Sequence, residues 1–479
     1  MKRVRKMLRT SSCWCGVILL VFFFFNVSLS PALAAGFPFK RIPFDGHVHS
    51  WYSDEDPITL WRSVRSAAQE VEGILGKGSA FAVTDHTDVI VPGVLRSLFT
   101  HAEWVDRAGK IEEAGIPVII IPGMELTVGK KGEKTKTHGH FLVYGLKEYA
   151  GEKDEIPGLK APFDDLKPYK LKEEFSEIRP ILGHHYNLGD KVLWPIVWAG
   201  NPARKDVKEV LEEVGAAGAF GYIAHPAGKD SWTPYAWSAI RSGGAPLAGR
   251  VVKGMEIFSA GQYHDSSGVI REWDQTLDTL AGKFYCNILR QGVNFFVTGG
   301  SDNHSAVLPP RIGSSYTYLL FKNKKPVYNQ DDILGALKRG HTVATLGGPF
   351  VALTVEPVGG QEITVWEADE PHDTKPAGEP PAFPGDTVKA KPGQELKITV
   401  WWEKAPAGSS IRVYSLGKGA RKFQTVDVFS VPRSTGEKSF IWKTDPAGAF
   451  LIARLEKSGS IAYTSPVFID PPGVKRPAV

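Results

Sequence analysis

The sequence predicts an α/β protein, a (β/α) barrel or an open α/β sheet, with a small all-β sandwich behind it. Three observations predict this. Short apolar runs alternate with amphipathic helical patterns from about Phe37 to Leu346. The runs carry Val, Ile and Phe on consecutive positions, as strands buried on both faces do. Past a Pro-, Gly- and acid-rich stretch at 369–386 the helical patterns stop, and β-rich runs recur at roughly ten-residue spacing between turn residues.

In chain order, the N-terminal segment comes first. "MKRVRKMLRT" carries five bases and no acid, "VILLVFFFFNVSLS" is apolar but short for a membrane span, and "PALAAG" offers small residues for cleavage near Ala34 or Ala35. Residues 1–35 thus read as a secretory signal peptide, with an uncleaved N-terminal anchor as the alternative, which places the chain secreted or at the cell surface, with no stable membrane span once the signal is cleaved. The predicted strands are "AFAVTDH", "PVIIIPGMEL", "HFLVYGL", "GYIAHP", "GMEIFSA" and "NFFVTGG". Between them "PITLWRSVRSAAQEVEGIL", "LRSLFTHAEWVDRAGKIEEAG", "NPARKDVKEVLEEVG" and "NQDDILGALKRG" read as helices, three of them closing on a glycine. The polar, Pro-rich stretch 147–186 reads as an insertion or lid. The expected organisation is a catalytic unit over 37–346 and a β-sandwich over 347–479, within the two or three domains that 479 residues allow.

Charge and cysteine usage narrow the function. The whole chain is +5. All five unbalanced bases lie in residues 1–35, so the mature chain is neutral and offers no basic field for nucleic acid. Cys13 and Cys15 fall in the signal. Cys286, among apolar neighbours in "LAGKFYCNILRQG", reads as a buried thiol, so the fold rests on core packing rather than a disulfide.

The chemistry-bearing residues gather where the predicted strands begin or end. His47 and His49 follow the first apolar segment, Asp85 and His86 end "FAVTDH", and Glu125 ends "VIIIPGME". His138 and His140 precede "FLVYG", His225 ends "GYIAH", Glu256 lies in "GMEIFSA", and Asp302 and His304 follow "NFFVTGG". In α/β barrels the C-terminal strand edge is where catalytic side chains collect. A lone strand-end histidine is more often structural than a ligand. Seven such placements are harder to explain that way, because burying so many ionisable groups together is costly without a compensating ion or hydrogen bonds. In His-x-His and Asp-x-His both side chains point to one side of a strand. Imidazole and carboxylate without thiolate favour Zn, Mn or Fe.

In order, "DGHVHSWYSDE", "VTDH", "PGMELT", "GHFLVYG", "IAHP" and "TGGSDNHS" resemble the motifs of the PHP (polymerase and histidinol phosphatase) family, over about Pro43 to Leu346. The exported, β-domain-bearing arrangement is most similar to the branch with carbaryl-type carbamate and ester hydrolases. The resemblance implies a distorted (β/α)7 TIM-like barrel with two or three divalent ions. It implies that His47, His49, Glu125 and Asp302 hold one ion, that Glu125, His140 and His225 hold a second, and that Asp54, His86 and His304 hold a third. It further implies hydrolysis by a metal-bridged hydroxide, with His47, His49, Glu125, His225 and Asp302 as the catalytic set.

The expected substrate is a small anionic molecule, first a phosphate ester, with a carbamate, ester or amide as the alternative. His184 and His185 in "GHHYN", His264 in "GQYHD" and Arg311 in "PPRIG" are candidate substrate contacts, each also readable as a surface residue. His101 and His341 read as structural. Lys130 to Lys136 reads as a solvated basic hairpin. Two other functions have a motivation. A non-catalytic barrel could carry a glycan-binding β-sandwich, with Trp401 and Trp402 as sugar platforms, although core and edge packing suits that pair better. A nucleic-acid proofreading role fits neither the neutral mature chain nor the export signal.

Overall fold

The computed structural model describes residues 37–49, 64–84, 90–95, 115–128, 139–145, 211–226, 249–259, 285–303, 311–366 and 381–473, apart from isolated positions within these spans. From Pro38 on the chain forms one unit. The apolar runs do become strands: β1 (Lys40–Val48), β2 (Ala80–Val83), β5 (Ile119–Val128), β6 (Gly139–Tyr144), β7 (Phe220–Ile223), β8 (Val252–Ser259) and β9 (Phe296–Gly300). A short hairpin, β3 (Ile90–Val91) and β4 (Val94–Leu95), is not expected from the sequence and forms a two-stranded sheet of its own. The strands of the apolar runs pair in the order β1-β2-β5-β6-β7-β8-β9. The sheet curls so that the residues after β9 return to the end of β1. Asp302 N–H donates to His47 O at 2.9 Å and His49 N–H to Asn303 O at 3.0 Å.

This corrects the expected fold class. Of the described residues 52% are strand and 12% helix, and the sheet is a curled, mixed half-barrel rather than a helix-rich (β/α)7 barrel. The reason lies in β6, which runs antiparallel to both β5 and β7, and in β10 (Ser315–Phe321), antiparallel to β1. Consecutive apolar residues report burial on both faces, and a curled mixed sheet buries both faces as fully as a parallel one. "PGMELTV" and "GHFLVY" therefore form an antiparallel pair, with Glu125 opposite Leu142 and Thr127 opposite His140.

Helix α1 (Val64–Leu75) is the end of the first predicted helix. Its apolar face, Ala67, Ala68 and Val71, packs with Phe81, Val83, Val118 and Ile120 on the outside of the sheet. Gly76, at φ 94°, closes it. Helix α2 (Gln330–Arg339) has the capping box of Asn329 and Asp332 at its start and left-handed Gly340 at its end. Gly340 also lies hard against Phe296, whose ring a Cβ there would meet at 2.1 Å.

The C-terminal part is all strand: β11 (Thr342–Leu346), β12 (Phe350–Pro357), β13 (Thr364–Trp366), β14 (Thr387–Lys389), β15 (Glu395–Glu403), β16 (Ser410–Gly417), β17 (Gln424–Ser430), β18 (Gly436–Lys443), β19 (Ala449–Lys457), β20 (Ser460–Thr464) and β21 (Val467–Asp470). Strands β12-β15-β18 form a three-stranded antiparallel sheet, and β12 packs on β19 and β20. The main sheet continues from β10 through β11 into β20 and β19. Trp402 is buried and donates its indole N–H to Arg433 O, so this tryptophan belongs to the core. His341 is buried against the Asp386 carboxylate at 3.2 Å, a structural role.

Candidate metal centre

Strand alternation places His47 and His49 on one side of the sheet. Asp45, two residues earlier, fixes the segment. Its buried carboxylate accepts N–H groups from Ser301 at 2.9 Å and Gly313 at 3.0 Å, and from His47 at 3.3 Å. Burial pushes the Asp45 carboxyl up to about 6 in spite of these bonds. Ser301 Oγ donates to His47 O, and Tyr144, buried behind, donates to Gly46 O. The β1 end is thus held by β9 and β6 together.

The other ligands arrive by different routes. Glu125 lies in the middle of β5, not at its end as the sequence suggested, because β5 runs on to Val128. His140 sits at the start of β6. Since β6 is antiparallel to its neighbours, its N-terminal end lies on the same rim as the C-terminal ends of β7 and β9. His225 follows β7 and Asp302 follows β9. Both have positive φ, 26° and 50°, and among the described residues only Lys404 is a further non-glycine with this geometry. Such backbone costs roughly 1–3 kcal/mol per residue and persists where the surroundings over-determine it.

Two groups result, each with its ligand atoms within 4.8 Å of one another: His47, His49, Glu125 and Asp302, and Glu125, His140 and His225. Glu125 divides its carboxylate between them. Oε2 lies 3.0 Å from His47 Nε2 and 3.1 Å from His49 Nε2, while Oε1 lies 2.7 Å from His140 Nδ1 and 3.1 Å from His225 Nε2. The first group is buried throughout; in the second, the His140 side chain is 21% exposed.

The donor set fits a cation. His47 Nε2 and His49 Nε2 face each other at 3.1 Å, and protons on both nitrogens repel each other. Burial opposes charge on His47, yet Glu125, Glu256 and Asp302 together hold it well above the usual imidazole value. Burial opposes charge on His49 too, but hydrogen bonds to Asp302 and Glu125 push it up to about 9. Carboxylates that draw protons onto buried imidazoles in this way draw a divalent ion in their place. The buried His47, His49, Glu125 and Asp302 group can therefore hold a metal ion.

Glu256, which the sequence marks as metal-capable without assigning it a role, supports His47. His47 Nδ1 lies 3.1 and 3.2 Å from its two oxygens. A lone carboxylate inside the apolar run "GMEIFS" was the available signal. Asp54, Asp85, His86, His138 and His304 lie outside the described residues, as do His184, His185, His264, His101 and Cys286. The set assigned to a third ion is thus not among those the structure describes. Arg311 is exposed. A scan against protein-family models finds no match, and a search of curated proteins finds none.

Proposed function

We propose that this chain is a metal-dependent hydrolase that holds two divalent ions, zinc, manganese or iron, one in each group. The observation that carries the reading is Glu125, whose two oxygens face two separate nitrogen clusters from the centre of a buried strand. The order of the PHP-like motifs along the chain supports it. When bound, such ions lower the pKa of water toward neutrality and draw charge from a phosphoryl or carbonyl oxygen.

The chain's own residues supply the rest. His47, with Nδ1–H donated to Glu256, presents the lone pair of Nε2 to the first group. Ser259 Oγ lies 3.4 Å from Asp302 Oδ2 and steadies the carboxylate whose Oδ1 faces both histidines. Tyr144, buried, donates its hydroxyl to Gly46 O and holds the β1 backbone beside His47. The partly exposed His140 marks the side from which a substrate enters. Among the described residues, two ions against the carboxylates of Glu125, Asp302 and Glu256 leave one positive charge before any hydroxide is bound, and open positions on the ions suit a small anionic substrate, a phosphate ester before a carbamate, carboxylic ester or amide.

Among the described residues no helix is long and apolar enough to cross a membrane, and export by residues 1–35 is part of the proposal. The test is turnover of an aryl phosphate and an aryl ester by protein loaded with zinc or manganese. Hydrolysis that is lost on chelation and in His47→Ala supports the reading, and the preferred arm identifies the substrate class. Unchanged turnover in His47→Ala, or no metal after loading, overturns it.

A further inference from the structure

We infer that Glu256 is a positioning residue that joins the two metal groups from below and makes their occupancy interdependent; this rests on the reading of the cluster as a metal centre. Glu256 is buried in the middle of β8 (3% exposed) and is not placed among the ligands. Its carboxylate grips one member of each group. His47 Nδ1 lies 3.1 Å from Oε2 and 3.2 Å from Oε1, and the backbone N–H of His225 donates to Oε2 at 3.0 Å.

These contacts do different things. The first fixes the His47 tautomer. With the proton kept on Nδ1, Nε2 is left as a lone pair aimed at Glu125 and His49. The second holds a strained backbone. His225 sits at φ 26°, and an anchored N–H keeps its ring 5.8 Å from that of His47 in a nearly parallel stack and its Nε2 near Glu125 Oε1. The fold also makes room for the carboxylate. Gly300 on β9 lies so close that a Cβ there would come within 2.4 Å of Glu256 Oε1. Glu125 joins the groups through its two oxygens from one side, and Glu256 joins them through His47 and His225 from the other.

The experiment is a titration of apo full-length protein with Co2+, followed by visible absorption and by metal content after dialysis, for wild type, His140→Ala, Glu256→Ala and Glu256→Gln. His140→Ala should lose the solvent-facing step and, through the coupling, weaken the buried step without changing the spectrum of the first group. Glu256→Ala should weaken both steps by about 10–100-fold, as loss of a carboxylate behind a ligating histidine does, and should change the cobalt spectrum of the first group, which a remote structural defect would not. Glu256→Gln keeps the shape and an acceptor for His225 N–H but not the charge. It should give a wild-type spectrum with weaker binding, and it decides the matter if Glu256→Ala does not fold. Wild-type affinity at both steps in Glu256→Gln, or in a folded Glu256→Ala, overturns the inference. A wild-type protein that takes up no cobalt overturns the metal-centre reading instead.

Discussion

Gly300→Ala tests how tightly the architecture ties the cluster together. An added methyl would lie 2.4 Å from Glu256 Oε1, 2.5 Å from His47 Cβ and 3.2 Å from His47 N. Carbon contacts prefer roughly 3.5–4.0 Å, so two of these are short by about 1 Å. Neither neighbour can yield cheaply. The Glu256 carboxylate is bound by His47 and His225, and His47 Cβ is fixed to a strand whose carbonyl accepts Asp302 N–H. β9 must back away from β1. Overpacking of this kind costs about 1–3 kcal/mol, and loss of one buried backbone bond adds about 1 kcal/mol. The expected destabilisation is thus about 2–4 kcal/mol by chemical denaturation. Asp302 moves with β9, and a 1 Å misplacement at a reacting centre costs about 100-fold, so turnover of the aryl substrate should fall by about that factor. Gly300→Ala with wild-type stability and turnover would refute the close packing of β9 on the cluster.

Other outcomes follow from the same contacts. The raised His49 value, about 9 against an ordinary 6.5, gives the metal-free protein stability that is full below pH 6.5 and lost as pH rises toward 9. Metal binding must displace that proton, so affinity should rise over the same interval, and chelator competition and denaturation at several pH values check both slopes. Saturating metal at 1,000 times its dissociation constant should raise unfolding free energy by about 4 kcal/mol, and chelation should remove it. Burial alone would raise the Asp386 carboxyl, but the His341 hydrogen bond, the His341 and Lys322 charges and the Phe383 N–H outweigh it and hold it below 3.8. Its contribution is therefore present above pH 3.8 and lost below. Asp386→Asn should be destabilised on the order of 2 kcal/mol at neutral pH, with the gap to wild type closing as the pH falls under 3.8.

The strands and the residues of the buried His, Glu and Asp cluster were legible in the sequence; the way the strands pair was not. Runs such as "AFAV" and "GYI" announce burial, and Val64–Leu75 and Gln330–Arg339 carry helical spacing, the second with a closing glycine. His47, His49, Glu125, His140, His225 and Asp302 stood out because ionisable groups beside buried strands need compensation. Parallel against antiparallel pairing is a choice made by sheet partners and leaves no periodicity of its own. That is why β6 was assigned to the wrong architecture and Glu125 to a strand end instead of a strand centre. Asp45 and Glu256 were invisible as supports, because their value lies in backbone N–H groups hundreds of positions away, at Ser301 and Gly313 for one, and in the pairing of His47 with His225 for the other.

The most direct measurement is anomalous X-ray scattering from crystals of the zinc-loaded protein. A peak roughly 2.0–2.2 Å from His47 Nε2, His49 Nε2, a Glu125 oxygen and an Asp302 oxygen, with a second beside His140 and His225, is the predicted result. Zinc bound elsewhere, with these side chains still hydrogen-bonded only to one another, would contradict the account.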